Sequence, residues 1–124
     1  MTRPAPHVLL VDDNPRGLEA LELRLKTLGF RTTIAHDGEA GIAAFERDRP
    51  DVVVLDVTMP EVNGYQACRA IKRIAPKTPV LILTAKSDPA DRFWAFQSGA
   101  SAFLNKPIDP AQVVAKLQEL LTPS

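Results

Sequence analysis

Three aspartates, a threonine and a lysine stand where short aliphatic runs end. Asp12 and Asp13 follow Val8-Leu9-Leu10-Val11, Asp56 follows Val52-Val53-Val54-Leu55, Thr84 follows Val80-Leu81-Ile82-Leu83, and Lys106 comes just after Ala102-Phe103-Leu104. Carboxylates bind hard cations or act as nucleophiles, and a hydroxyl with an ammonium holds an anion. Two carboxylates about 4 Å apart repel by roughly 4 kcal/mol at an effective dielectric near 20, so gathering three of them requires more positive charge than one lysine supplies. A divalent cation meets that need, and Mg²⁺ typically takes one or two carboxylates, several waters and a phosphate oxygen. With its oxygens neutralised, a phosphoryl group can be attacked in line by an aspartate to give an aspartyl phosphate, while Lys106 and Thr84 hold the transferred group.

Singly, each residue has a plain structural explanation. Asp12 and Asp13 precede a helical segment, where capping and the helix dipole favour acids. Asp56 can open a polar loop, Thr84 can cap a helix, and Lys106 can be a solvated charge with a buried stem. Their joint occurrence after four separate runs is what favours the chemical reading.

The residues meet only if the runs are neighbours in one sheet. Strands are predicted over His7 to Val11, Arg31 to Ala35, Val52 to Leu55, Val80 to Leu83 and Ala102 to Leu104, alternating with segments of helical period. Leu18, Leu21, Leu25 and Leu28 form the apolar stripe of the first helix, and Ile42 with Phe45, Cys68 with Ile71, Phe93 with Phe96, and Val113 with Leu117 and Leu120 do the same on the others. Asn14-Pro15, Asp88-Pro89 and Asp109-Pro110 each pair a capping side chain with a proline at the first helical position. Gly29 and Gly99 fall at helix ends that favour a left-handed cap, whereas Gly41 inside the second helix is expected to weaken it by roughly 1 kcal/mol relative to Ala. Right-handed crossovers turn five such units into an α/β doubly wound parallel sheet of strand order 2-1-3-4-5. Sheets of this kind bind ligands outside the carboxyl ends of their strands, where all five chemical residues are placed.

A chain of 124 residues is the size of one domain, so 1–124 is read as a single unit with residues 1–6 as a flexible N-terminus. Fifteen basic residues balance fifteen acidic ones without a basic cluster, which argues against direct nucleic-acid binding. Apolar runs are far shorter than the roughly 20 residues a membrane-spanning helix requires. The N-terminus lacks the apolar core of a signal peptide and the lone Cys68 cannot form an internal disulfide, which points to the cytoplasm.

Val8-Leu9-Leu10-Val11-Asp12-Asp13-Asn14, Leu55-Asp56-Val57-Thr58-Met59-Pro60 through Gly64, Leu83-Thr84-Ala85 and Lys106-Pro107 together closely resemble response-regulator receiver domains of the CheY type, across nearly the whole chain. The resemblance implies a flavodoxin-like (βα)5 fold and a phosphoacceptor role for Asp56. Asp13, Asp56 and the backbone carbonyl of Thr58 would bind Mg²⁺ directly, with Asp12 helping through water, and Thr84 and Lys106 would contact the phosphoryl group. It further implies a cis Lys106–Pro107 bond and a conformational switch through Thr84 and the aromatic position, filled here by Phe103 where many relatives carry Tyr. The implied partners are a histidine kinase or phosphotransfer protein upstream and a protein target downstream. No outside substrate is turned over, since such a domain catalyses only its own phosphorylation and dephosphorylation. Trp94 departs from a position that is often basic in relatives, and is either an edge-of-core residue or part of a partner surface.

Two other readings compete. The chain can be the receiver portion of a longer regulator whose output domain is missing. A haloacid dehalogenase-type phosphatase also uses an aspartyl phosphate and Mg²⁺, but its nucleophile would follow the first strand in an Asp-x-Asp motif. Here Asn14 stands at the third position and Asp56 would have no role.

Overall fold

The computed structural model describes residues 5–12, 18–56, 63–84 and 89–122. Five β-strands alternate with five helices: β1 (His7–Val11), α1 (Glu19–Thr27), β2 (Arg31–Ala35), α2 (Gly38–Asp48), β3 (Val52–Asp56), α3 (Asn63–Ile74), β4 (Val80–Thr84), α4 (Pro89–Gln97), β5 (Ala102–Asn105) and α5 (Pro110–Leu121). All strand pairs are parallel and the order is β2-β1-β3-β4-β5, as predicted. Three strands run one residue further than their aliphatic runs, so that Asp56 and Thr84 are themselves the last residues of β3 and β4.

Alternation along the strands divides the core in two. Leu9, Val11, Val53, Leu55, Val80 and Ile82 face a layer that includes Phe45 of α2, Ile71 of α3 and Ala95 of α4. Val8, Leu10, Val52, Val54, Leu81 and Leu83 face Leu21 and Leu25 of α1 and Val113 and Leu117 of α5. With both faces covered, a central strand such as β3 is buried along its length, which is why it reads as an unbroken apolar run.

The local signals act as their chemistry dictates. Asp109 caps α5, its carboxylate accepting from the Ala111 N–H at 3.0 Å. Asp37, not singled out in the sequence, caps α2 by accepting from the Ala40 N–H at 2.7 Å. Gly29 and Gly99 adopt φ of 93° and 100°, the left-handed region expected of them. The capping residues Asn14 and Asp88 lie outside the described residues, and α1 is described from Glu19.

Three expectations need correction. Gly41 is not merely a weak point, because a Cβ there would sit 2.9 Å from Cγ2 of Val11, and its absence lets α2 lie close on β1. Leu28 is exposed beyond the end of α1, so the first stripe ends at Leu25. In α4 the predicted stripe is on the wrong face: Phe93 and Phe96 are 55% and 50% exposed, whereas Ala95 and Ser98 turn inward. Trp94, 52% exposed, joins Phe93 in a T-shaped pair with centroids 5.5 Å apart, so three aromatics stand on the outside of one helix.

Candidate functional site

The carboxyl ends of β1, β3, β4 and β5 bring four of the predicted residues together. β1 and β3 pair in register Val11↔Leu55, so one further step sets Asp12 beside Asp56. Adjacent strands are about 4.8 Å apart, which is the spacing at which two carboxylates repel strongly. Both are almost withdrawn from solvent, at 3% and 4% exposure. Asp12 is tied on its other side by its backbone N–H, which donates to the Ala35 carbonyl of β2 at 3.0 Å.

Lys106 reaches this pair from the far side of β4. Its ammonium forms an ion pair with Oδ2 of Asp56, and its backbone N–H donates to the Thr84 carbonyl at 2.7 Å. The Lys106–Pro107 bond is cis, as the resemblance implied. Thr84 is fully buried at the end of β4. By strand alternation it points to the same face as Ile82, whose register partner is Phe103. Thr84 and Phe103 are therefore diagonal neighbours on the α4 side of the sheet, the relation a Thr–aromatic switch requires.

The described donor set is chemically specific. Two buried carboxylates face one partly exposed ammonium, leaving net negative charge in a site with only hard oxygen ligands. That matches Mg²⁺, which needs one or two carboxylates and fills its remaining positions with water or phosphate. Asp13 and Thr58 lie outside the described residues, and among the described residues no group of three His, Cys, Asp or Glu side chains is placed to hold a metal ion.

Other reactive groups play no part here. Cys68 is buried in the core between α3 and the sheet, and burial pushes its thiol pKa up, away from nucleophilic character. Among the described residues no helix is long and apolar enough to cross a membrane.

Over residues 8–118 the chain matches the response regulator receiver domain family. It is 39% identical over 114 residues to the transcriptional regulatory protein TrcR of Mycobacterium tuberculosis, an alignment covering 92% of this chain and 44% of that protein. With the transcriptional regulatory protein CseB of Streptomyces coelicolor it shares 38% identity over 115 residues, covering 93% of this chain and 49% of the relative. Among solved structures, the chemotaxis protein CheY4 of Vibrio cholerae superposes with a TM-score of 0.87 at 29% identity, covering 94% of this chain and 99% of that one. The chain spans about half the length of the curated relatives it matches.

Proposed function

Because the chain belongs to the response regulator receiver domain family of two-component signalling, we propose that it accepts a phosphoryl group on Asp56 in a Mg²⁺-dependent step. The donor is the phosphohistidine of a histidine kinase or a phosphotransfer protein. The observation that carries this reading is the buried Asp56 carboxylate, held between the neighbouring Asp12 and the ammonium of Lys106.

In the transfer, an Asp56 carboxylate oxygen forms a bond to phosphorus as the bond to the donor imidazole nitrogen breaks, and the imidazole leaves with that electron pair. Lys106 exchanges its ion pair with Asp56 for one with the incoming phosphoryl oxygens. Thr84 donates its hydroxyl to another of those oxygens. Asp13, Asp56 and the Thr58 carbonyl would hold Mg²⁺ directly and Asp12 would do so through water; the bound ion neutralises phosphoryl charge. No external substrate is turned over.

The output follows from the Thr84–Phe103 relation. Drawing the Thr84 hydroxyl toward the phosphoryl group vacates space that the Phe103 ring fills by turning inward. The change is then reported on the surface of α4, β5 and α5, where the exposed Trp94 lies. A protein partner reads that surface, or an attached output segment does, as expected from relatives about twice this length. Direct contact with nucleic acid is not part of this reading, and the balanced charge and single buried cysteine favour a cytoplasmic setting.

Acetyl phosphate with Mg²⁺ tests the proposal. Intact-protein mass spectrometry should show one phosphoryl adduct on the parent chain and none on Asp56→Asn. Equal labelling of the two would overturn it.

A further inference from the structure

Phe103 carries no hydroxyl, so no hydrogen bond can hold its ring. Its inner side packs on the core cluster that contains Ile82, Ala95 and Ala100. On the outer side, the guanidinium carbon of Arg92 from α4 stands 5.6 Å from the ring centroid, within the roughly 6 Å reach of a cation–π contact. The Arg92 guanidinium thus stands against the outer side of the Phe103 ring.

We propose that Arg92 is a positioning residue for the switch, its guanidinium holding Phe103 in the outer, half-buried position and thereby opposing the phosphorylated state. This rests on the function proposed above and adds to it a restraint specific to this chain. An inward turn takes the ring centroid away from the guanidinium, so the contact is stronger in the outer position than in the inner one. A contact with that property biases the equilibrium by its own strength, about two- to fivefold for an exposed cation–π pair. Arg92 immediately precedes the Phe93–Trp94 pair, so the same contact ties the ring in β5 to the exposed aromatic side of α4.

The sign of the effect separates this device from simple charge. Removing a cation near the site weakens binding of an anion by plain electrostatics, whereas releasing the restraint strengthens it. The measurement is the affinity for the phosphoryl mimic beryllofluoride with Mg²⁺, together with NMR shifts of the Phe103 ring. Arg92→Ala should bind the mimic about two- to fivefold more tightly than the parent, with Arg92→Lys in between. Even without ligand, its Phe103 ring resonances should move toward those of the mimic-bound protein. In a Phe103→Leu background Arg92→Ala should give no tightening, only the slight weakening that loss of a cation brings. Unchanged or weaker binding by Arg92→Ala, or the same tightening in the Leu background, would overturn the proposal. Should the parent itself fail to bind the mimic, the function proposed above falls. The contact is then decided by the unliganded Phe103 ring shifts of the parent and Arg92→Ala, which must differ if the guanidinium holds the ring and overturn the contact if they coincide; if Phe103→Leu does not fold, the shift toward the mimic-bound resonances decides.

Discussion

The backbone N–H of Lys106 donates to the carbonyl of Thr84 at 2.7 Å while its ammonium is ion-paired with Asp56. One residue thus links the ends of β3, β4 and β5, tying the charge beside Asp56 to the backbone of Thr84. Lys106→Met keeps most of the volume and the backbone bond but removes the charge. Since hydrogen bonds to charged groups contribute about 1.5–3 kcal/mol, affinity for beryllofluoride should drop by about ten- to a hundredfold. Titration checks this, with circular dichroism to confirm folding; equal affinity would exclude Lys106 from the phosphoryl site.

Substitution of the acidic pair is expected to act on the metal. If Asp13 is the direct ligand of the proposed site and Asp12 acts through water, Asp13→Asn should weaken Mg²⁺ binding by more than about tenfold and Asp12→Asn by less. Isothermal titration with Mg²⁺ alone provides the test, and identical affinities in Asp13→Asn and the parent would contradict the assignment.

Trp94 is the only tryptophan and stands half-exposed on α4, on the face proposed to report phosphorylation. Its emission should change when beryllofluoride is added with Mg²⁺. Thr84→Ala should reduce that change without unfolding the domain, because it removes the group whose movement makes room for Phe103. A spectrum that stays constant in the parent, with constant amide shifts around Phe103, would rule out this face as the reporter.

Gly41→Ala puts helix propensity against packing. The helix gains about 1 kcal/mol from Ala, but the new Cβ would meet Cγ2 of Val11 at 2.9 Å. Val11 is buried and β-branched, so it cannot swing aside, and overpacking of this kind costs about 1–3 kcal/mol. A net loss of stability and a Tm lower by several degrees are expected, partly restored by Val11→Ala in the same chain. A higher Tm in Gly41→Ala would show that α2 can shift away from the sheet.

Most of the frame was legible because it rests on short-range chemistry. The β-branched and aliphatic runs favour buried strands, Asp109-Pro110 favours a helix start, and alternation with helical segments led to the parallel order. The site was legible for the same reason: an open α/β sheet gathers whatever follows its strands, so Asp12, Asp56, Thr84 and Lys106 could be grouped before any distance was known.

Tertiary structure decided what periodicity leaves open, namely which side of a stripe meets the sheet. Phe93 and Phe96 are spaced like a buried pair, yet α4 turns Ala95 and Ser98 inward, Ala95 joining the cluster of Ile82 and Ala100, and leaves its aromatics outside. Gly41 is likewise a defect when read along its helix and a requirement only once Val11 is seen beneath it. The contact of Arg92 with Phe103 joins residues 92 and 103 across two elements, and no local rule specifies it. Sequence determined the strands and the residues at their ends through bonding and burial along the chain; packing between elements alone decided which side chains face the core, the solvent and each other.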